Sequence, residues 1–579
     1  MPRAGYSRSH MAFDLLPRST APALPVAGRW RQALTWLVMT CTLGLAACAS
    51  LPNNVERPLT YALTPSQAAQ TTSLGALVQA RAAKAGTRND SGFAMVSGAE
   101  LAFTSRMTLI KAAQKTLDLQ YYAIFQDDTT ERLFEALRDA AARGVRVRIL
   151  LDDFNTSGKN AQVLKLAFEK NIALRLFNPL PGARSSLLLR IVSNLKDTAR
   201  IQRRMHNKML VADNAVAITG GRNLGETYFG QSTGVNFIDI DVLAAGRIAR
   251  DLSRSFDQYW NNPLAYPVQS LMTLPEIEAL KPMPTPPGPI DAAASSLPAE
   301  GLAPHSTHQG DAAAADAALP PLPPLPDEVD LRLLTWTWAP STLLVDKPEK
   351  IAMDADATDQ AQDTTVDGLL GLVAQATGEV LMVSPYFVPG PRMMQAFAAL
   401  RARQVRVRVL TNSLASNDAP AAHVGYARYR RALLALGVEL YEMRAEQQGS
   451  FSRFGSPALA GGSTGSTTGG SRASLHSKVV VVDSRLLVVG SMNLDLRSQL
   501  QNSEVAVVIR SAAISREATA LIEPTLVSRA YRVRLDNDRL IWRAPPGSSP
   551  SELTSEPDAS FGLKLLAQLI APFAPEEML

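Results

Sequence analysis

The sequence predicts an α/β fold of two similar lobes, each a mixed β-sheet flanked by helices. A pseudo-twofold axis relates them, with the active site in the cleft between. Three observations predict it. A strand–helix–strand order occurs twice, with AARGVRVRILLDD at 141–153 answered by RARQVRVRVLTNS at 401–413. A His-x-Lys-x-x-x-x-Asp pattern also occurs twice, in register with that repeat, and a Pro/Ala-rich stretch divides the two copies.

The chain has 579 residues, 46% hydrophobic, 19% charged and 6% aromatic, which is globular material and excludes a disordered or collagen-like chain. One apolar stretch, near the N-terminus, approaches membrane-spanning length, so a polytopic membrane protein is excluded. The net charge of +5 is misleading. Arg3, Arg8, Arg18, Arg29 and Arg31 against Asp14 give residues 1–47 a charge of +4, leaving +1 for the rest. That balance does not advertise nucleic-acid binding, and no nucleic-acid partner is expected.

The first element is a leader, residues 1–47. Arg29 and Arg31 precede an apolar run from Ala33 to Leu45, then Ala46-Ala47-Cys48, with no charge between Arg31 and Glu56. This is the layout of a signal peptide, and its ending resembles a bacterial lipobox, whose cysteine is lipidated and becomes the first mature residue. The apolar core is shorter than the roughly 20 residues a transmembrane anchor needs. Cys41 and Cys48 are the only cysteines, so no disulfide framework follows. The expected location is the bacterial envelope, facing the periplasm as a membrane-anchored lipoprotein. Ala49 stands where an Asp would mark inner-membrane retention, so the outer membrane is admitted as well as the inner.

Residues 48–90 form an N-terminal segment with a helix around Ser73–Ala83. Lobe 1 is placed at 91–265. Ala99–Ala113 has helical apolar spacing, Thr116–Ile124 reads as a strand, Thr129–Arg143 as a helix and 144–152 as a strand. That order argues for parallel pairing. Residues 266–330 read as a largely disordered linker. No basic residue lies between Lys281 and Arg332, and 12 of the 38 prolines fall between Pro282 and Pro326, a composition that cannot bury a core.

Lobe 2, at 331–530, repeats the order with strand Val380–Phe387, helix Pro391–Arg403 and strand Val405–Leu410. Each lobe continues with a further helix and a short strand, Ile172–Phe177 and Val438–Tyr441. A Gly/Ser/Thr-rich insert at 449–474 is expected to be a flexible loop. Residues 531–579 read as a tail whose apolar stretch 561–570 either lies in a membrane interface or packs on the lobes. Arg146, Arg148, Arg406 and Arg408 alternate along their strands and are expected on solvated faces.

Three histidines fall in the predicted lobes, His206, His423 and His476, and two share one context. Lobe 1 has His206, Lys208 and Asp213 followed by Gly220-Gly221-Arg222-Asn223; lobe 2 has His476, Lys478 and Asp483 followed by Gly490-Ser491-Met492-Asn493. Met209–Ala212 and Val479–Val482 are short and apolar, hence strands. On a strand, residues i and i+2 share a face, which places each His beside its Lys. Asp213 and Asp483 then open tight turns, as Asp favours, and a second strand returns to the Gly and the Asn. His423 is read as a packing residue or a neighbour of an acceptor pocket. A metal site is not expected, since no Cys is available and a lysine beside each histidine repels a cation; no cofactor is expected either.

This doubled pattern resembles the phospholipase D superfamily, most closely bacterial cardiolipin synthases of the C type. LDLQYYAIFQDD, RRMHNKMLVADNAVAITGGRNLGETYFG, SPYFVPG and SLHSKVVVVDSRLLVVGSMNLDLRS carry the likeness. The resemblance implies two phospholipase D-like lobes, phospholipid substrates and phosphatidyl transfer without metal. Lys208 and Lys478 would neutralise the phosphate, while Asn223, Asn493 and Ser491 donate to its oxygens. One His attacks phosphorus and the other protonates the leaving alcohol; by family analogy these are His206 and His476 in that order.

A histidine in such a role needs its tautomer fixed. Glu504 and Asp239, the acids on the strand after each motif, are nominated to orient His476 and His206 respectively, with Asp241 as a substitute for Asp239. The alternative for these acids is a surface place at a strand edge. Competing functions are hydrolysis at the same site, as a lipid phosphodiesterase or less readily a nuclease, and a non-catalytic envelope lipoprotein that binds lipid.

Overall fold

A computed structural model describes residues 51–182, 184–195, 197–232, 234–279, 328–352, 364–445 and 472–572. The leader, Cys48, most of the Pro/Ala linker and nearly all of the Gly/Ser insert lie outside the described residues.

Lobe 1 is a nine-stranded mixed sheet. Its strands are β1 (Ser91–Val96), β2 (Thr116–Tyr121), β3 (Arg146–Asp152), β4 (Ile172–Phe177), β5 (Met209–Ala212), β6 (Val216–Gly220), β8 (Asp241–Gly246), β9 (Ala265–Pro267) and β10 (Thr337–Ala339), while β7 (Val235–Ile238) stands apart. The order is β10-β1-β8-β6-β5-β2-β3-β4-β9. β2, β3 and β4 are parallel, as strand–helix–strand spacing requires, and the hairpin β5–β6 adds antiparallel beside β2.

Lobe 2 repeats this plan. Its strands are β11 (Ser341–Val345), β12 (Glu379–Val383), β13 (Arg406–Asn412), β14 (Glu439–Met443), β16 (Val479–Val482), β17 (Leu486–Gly490), β18 (Val505–Arg510), β19 (Ala530–Asp536), β20 (Arg539–Arg543) and β21 (Glu552–Leu553), with β15 (Arg472–Leu475) outside the main sheet. β12, β13 and β14 are parallel and the hairpin β16–β17 lies antiparallel beside β12.

Val147, Ile149 and Leu151 point to an outer core with the helices Ala99–Ala112 and Asp128–Ala142. Val407 and Val409 do the same toward Gly390–Ala402 and Pro420–Ala435. The inner faces share one cluster, in which Phe93, Ile240 and Val242 of lobe 1 meet Val481, Leu487 and Val507 of lobe 2. Helices Arg247–Trp260 and Ala512–Ser528 complete that inner layer.

Five expectations need correction. Arg148 and Arg408 are not solvated: 1% and 4% exposed, they lie on inner faces that helices cover. Arg148 holds Asp118 at 2.7 Å and Asp257 at 2.7 Å, and Arg408 holds Glu379 at 2.5 Å and Glu523 at 2.6 Å, the same device in both lobes. Arg406, by contrast, is half exposed. Lobe 1 does not end at 265, because Val268 and Ile277 join its core. Nor does lobe 2 begin at 331, because Leu331 packs in lobe 1 and β10 pairs with β1; the chain crosses at Pro340 into β11. Lobe 2 also does not end at 530, since β19, β20 and β21 extend its sheet beyond β14. The further helix expected in lobe 1 is a run of 3₁₀ turns, Gly158–Phe168, whereas lobe 2 has the α-helix Pro420–Ala435.

Removing a buried ion-pair partner strands the other charge, at a cost of about 3–5 kcal/mol. Arg148→Ala is expected to lose stability on that scale in urea denaturation, while the half-exposed Arg406→Ala loses less than about 1 kcal/mol.

Candidate active site

Each motif is a hairpin whose two ends do different work. At the far end, Asp213 and Asn214 have φ of 53° and 52°, and Asp483 and Ser484 have 52° and 50°, the left-handed pair that a type I′ turn requires. The Asp213 carboxylate accepts from the backbone N–H of Gln114, Lys115 and Thr116, and that of Asp483 from Thr377, Gly378 and Glu379. Both aspartates therefore staple the hairpin to the start of the neighbouring parallel strand. Six residues of extended chain, about 20 Å, lie between them and the histidines.

At the near end the glycines are steric requirements. A Cβ on Gly220 would lie 2.1 Å from Asp241 Oδ1, and one on Gly490 2.1 Å from the Val505 carbonyl oxygen. At Gly221 a Cβ would meet the Asp239 carboxylate at 2.4 Å, so this position makes room for the acid. Lobe 2 has Ser491 instead, whose hydroxyl donates to Glu504 Oε2 at 2.5 Å. Asp241 pairs with Arg106 at 3.0 Å and Arg222 at 3.2 Å and faces neither histidine.

The acids orient the histidines across the lobes, contrary to the expected pairing within each lobe. His206 Nδ1 lies 3.0 Å from both Glu504 oxygens, and His476 Nδ1 lies 2.9 Å from Asp239 Oδ2. The backbone explains the crossing. β15 pairs in parallel with β7, so that Leu475 stands opposite Ile238, and Met205 bridges Ser503. His476 N–H donates to Ile238 O and His206 N–H to Ser503 O, both at 2.9 Å. Each histidine thus enters its strand beside the residue preceding the other lobe's acid.

The site's histidines and lysines are buried. His206 is 7% exposed, Lys208 1%, His476 1% and Lys478 4%. Burial pushes the Glu504 carboxyl up to about 7, against the Lys208 charge and the hydroxyls of Ser491 and Ser498, which pull it down. Asp239 is likewise raised by burial, with Lys478, Arg222 and Lys208 opposing. Lys208 therefore acts on the acids of both lobes, which places the two motifs in one electrostatic site. Lys208 Nζ donates to the His206 carbonyl at 2.9 Å and Lys478 Nζ to that of His476 at 2.6 Å. The Lys478 ammonium is also 3.1 and 3.3 Å from the His476 ring nitrogens.

Of the three expected phosphate donors, two are engaged within the protein. Ser491 holds Glu504, and Asn223 accepts from Ala123 N–H at 3.2 Å while donating to the Tyr228 hydroxyl at 2.9 Å. Asn223 thereby fixes Tyr228, whose ring meets His476 edge-on at 5.2 Å. Asn493 is buried, and its amide oxygen has no hydrogen-bond partner among the described residues. Residues that sequence reasoning missed are the aromatic walls: Tyr122 against His206, and Tyr228 with Phe237 against His476. Ser498, which donates to Glu504 Oε1 at 2.8 Å, was missed too. Tyr122 directly follows β2 beside the motif hairpin, a position the strand reading could have marked. His423 sits apart, between Arg430 at 3.0 Å and Glu556 at 3.4 Å, as a packed residue of lobe 2.

With a carboxylate at Nδ1, each imidazole has its orientation and tautomer fixed. Two such histidines on duplicated hairpins are the arrangement expected of a phospholipase D-like protein. The family described as "Cardiolipin synthase, PLD-like domain" matches residues 107–260 and 369–524, and the chain belongs to it. The chain is 34% identical to Cardiolipin synthase C of Escherichia coli K12 over 482 residues, covering 83% of this chain and 94% of that protein. It is 22% identical to Cardiolipin synthase B of Salmonella typhi over 450 residues, covering 78% of this chain and 84% of that one. Its fold is similar to that of phosphatidylserine synthase from Haemophilus influenzae Rd KW20, with a TM-score of 0.51 and 13% identity over 86% of this chain and 99% of that one.

The crossed arrangement has a direct spectroscopic consequence. In spectra of protein labelled with nitrogen-15 at histidine, Glu504→Gln is expected to move the His206 signals and Asp239→Asn those of His476. The opposite correspondence would return each acid to its own lobe.

Proposed function

We propose that the protein is a phosphatidyltransferase that makes cardiolipin from phosphatidylglycerol and a second phospholipid, through a phosphohistidine. The observation that carries the reading is the pair of buried histidines, each oriented by the opposite lobe's carboxylate, in a chain of the cardiolipin synthase family. The relatives named as cardiolipin synthases support the substrate.

His206 Nε2 attacks the phosphorus of the donor lipid; the phosphorus–oxygen bond to the headgroup alcohol breaks, and His476 gives that oxygen its proton. The headgroup alcohol leaves. His476, now neutral, takes the proton from a hydroxyl of phosphatidylglycerol, whose oxygen attacks phosphorus and breaks the phosphorus–nitrogen bond. Charge from Lys208 and Lys478 stabilises the phosphorane in a buried site, where it counts most. No step needs a metal. Closely fitted lipid at the cleft would exclude water and favour transfer over hydrolysis.

Incubation with phosphatidylglycerol, with and without phosphatidylethanolamine, is expected to yield cardiolipin in excess chelator; phosphatidic acid as sole product would establish hydrolysis instead. His206→Ala and His476→Ala should each lower turnover by about 10²–10⁴-fold or more, and the double variant should be little worse than either. Two half-active single variants would mean two independent sites.

We also assign Cys48 as the lipid attachment point of a periplasm-facing envelope lipoprotein, on the lipobox pattern that ends at that residue. Metabolic palmitate labelling should mark the parent protein and not Cys48→Ala. An unlabelled parent would discard the anchor.

A further inference from the structure

No helix among the described residues is long and apolar enough to cross a membrane. Yet two helices, one per lobe, turn large apolar side chains outward. On Leu187–Ser193 and the turn after it, Leu188, Val192 and Leu195 are 56%, 51% and 58% exposed. On Phe561–Ile570, Phe561 and Leu569 are 83% and 61% exposed, with Leu565 and Leu566 beside them. Exposed side chains of this size cost solubility unless something covers them.

Both helices sit at the histidine end of their sheets. Leu187 and Ile191 pack on Tyr122 and Phe154, and Tyr122 is the ring that meets His206 at 5.0 Å. Arg190 ties the same helix to Asp153 and the Ser157 hydroxyl, just past the C-terminal end of β3. In lobe 2, Ile570 packs on Val388 and Ala421, and Val388 N–H donates to the carbonyl of Leu494, the neighbour of Asn493. Arg428 caps that helix through the Ala571 carbonyl at 2.6 Å.

A third observation is independent of both helices. The strap of residues 57–63 runs antiparallel to β4. Arg57 covers Tyr266 opposite Leu176; Pro58 then accepts from Arg175, Thr60 from Arg148, Tyr61 from Arg146 and Leu63 from Asn214 at the far turn. Followed backward, the described chain therefore heads toward the histidine end of lobe 1. The only charge within 561–570 is Lys564, which suits an anionic surface.

We infer that the helices Leu187–Ser193 and Phe561–Ile570 form a two-point docking surface for a phospholipid bilayer, one on each lobe at the histidine end. This rests on the proposed lipid chemistry. A diacyl substrate that keeps its chains in the bilayer brings its phosphate to buried histidines only if the mouth of the site abuts the membrane. Apolar helices in the interface, with the polar backbone satisfied internally, provide that contact.

The test uses the full-length chain carrying Cys48→Ala, so that no acyl anchor contributes, and vesicles of phosphatidylethanolamine and phosphatidylglycerol. The pairs Leu188→Ser/Val192→Ser and Phe561→Ser/Leu569→Ser are each expected to lower flotation with vesicles by roughly tenfold or more. Turnover of the same lipids in detergent micelles should stay at the parent level, which also shows that the variants fold. Vesicle binding equal to the parent's would overturn the proposal. So would a lipid-free dimer in the parent that both pairs dissolve without loss of flotation, which would assign the surface to a second copy of the chain. Absent turnover in the parent, with flotation still lost in the variants, would sink the enzymatic reading and leave the docking surface standing.

Discussion

The active site depends on a backbone exchange between the lobes. Met205 bridges Ser503, and β15 lies along β7, so each histidine is delivered to a carboxylate of the other half of the chain. Neither lobe holds an oriented imidazole by itself. The shared apolar cluster of Phe93, Ile240, Val481 and Leu487 supplies the cohesion, and the crossed hydrogen bonds supply the register. A duplicated fold thereby becomes a single site.

Much of the surrounding polar burial supports the strands that bring these groups together. Arg148 and Arg408 pin the inner helices at Asp257 and Glu523, and Asp213 and Asp483 tie each hairpin turn to the adjacent strand. Such pairs are weak evidence of net stabilisation, because desolvation offsets the Coulomb gain. Their physical consequence is specificity: a register shift in any of these strands would strand a buried charge. The same logic makes Gly220 and Gly490 obligatory, since atoms of the next strand stand 2.1 Å from where a Cβ would be.

The lobes, the hairpins and the two His–Lys pairs were legible because period-2 burial, Asp at a type I′ turn and an internal repeat are all local signals. The exchange was not legible, since a repeat says which residues are equivalent and nothing about which copy they face. Asp239 and Glu504 were therefore found as a pair and assigned to the wrong partners. Arg148 was read as exposed because strand alternation marks a second face without saying whether a helix covers it. β19 and β20 fall within the expected tail; charge on AYRVRLD and RLIWR suits strands toward the edge of a sheet, where one face stays wet.

The proposed order of the two imidazoles draws its support from the differences between the halves. Forming a phosphorus–nitrogen bond at Nε2 makes the ring cationic, so the Nδ1 proton moves toward its carboxylate. Glu504, pushed up to about 7 and steadied by the hydroxyls of Ser491 and Ser498, has the proton affinity to share that charge near neutral pH. Asp239 instead stands where Gly221 leaves room for its shorter side chain, with Arg222 donating to its backbone carbonyl at 2.6 Å. His476 is enclosed by Tyr228, Phe237 and the Lys478 ammonium, while His206 lies against Tyr122 and is the more exposed of the two, at 7% against 1%. The more accessible ring favours the proposed order, with His206 as nucleophile and His476 as proton carrier.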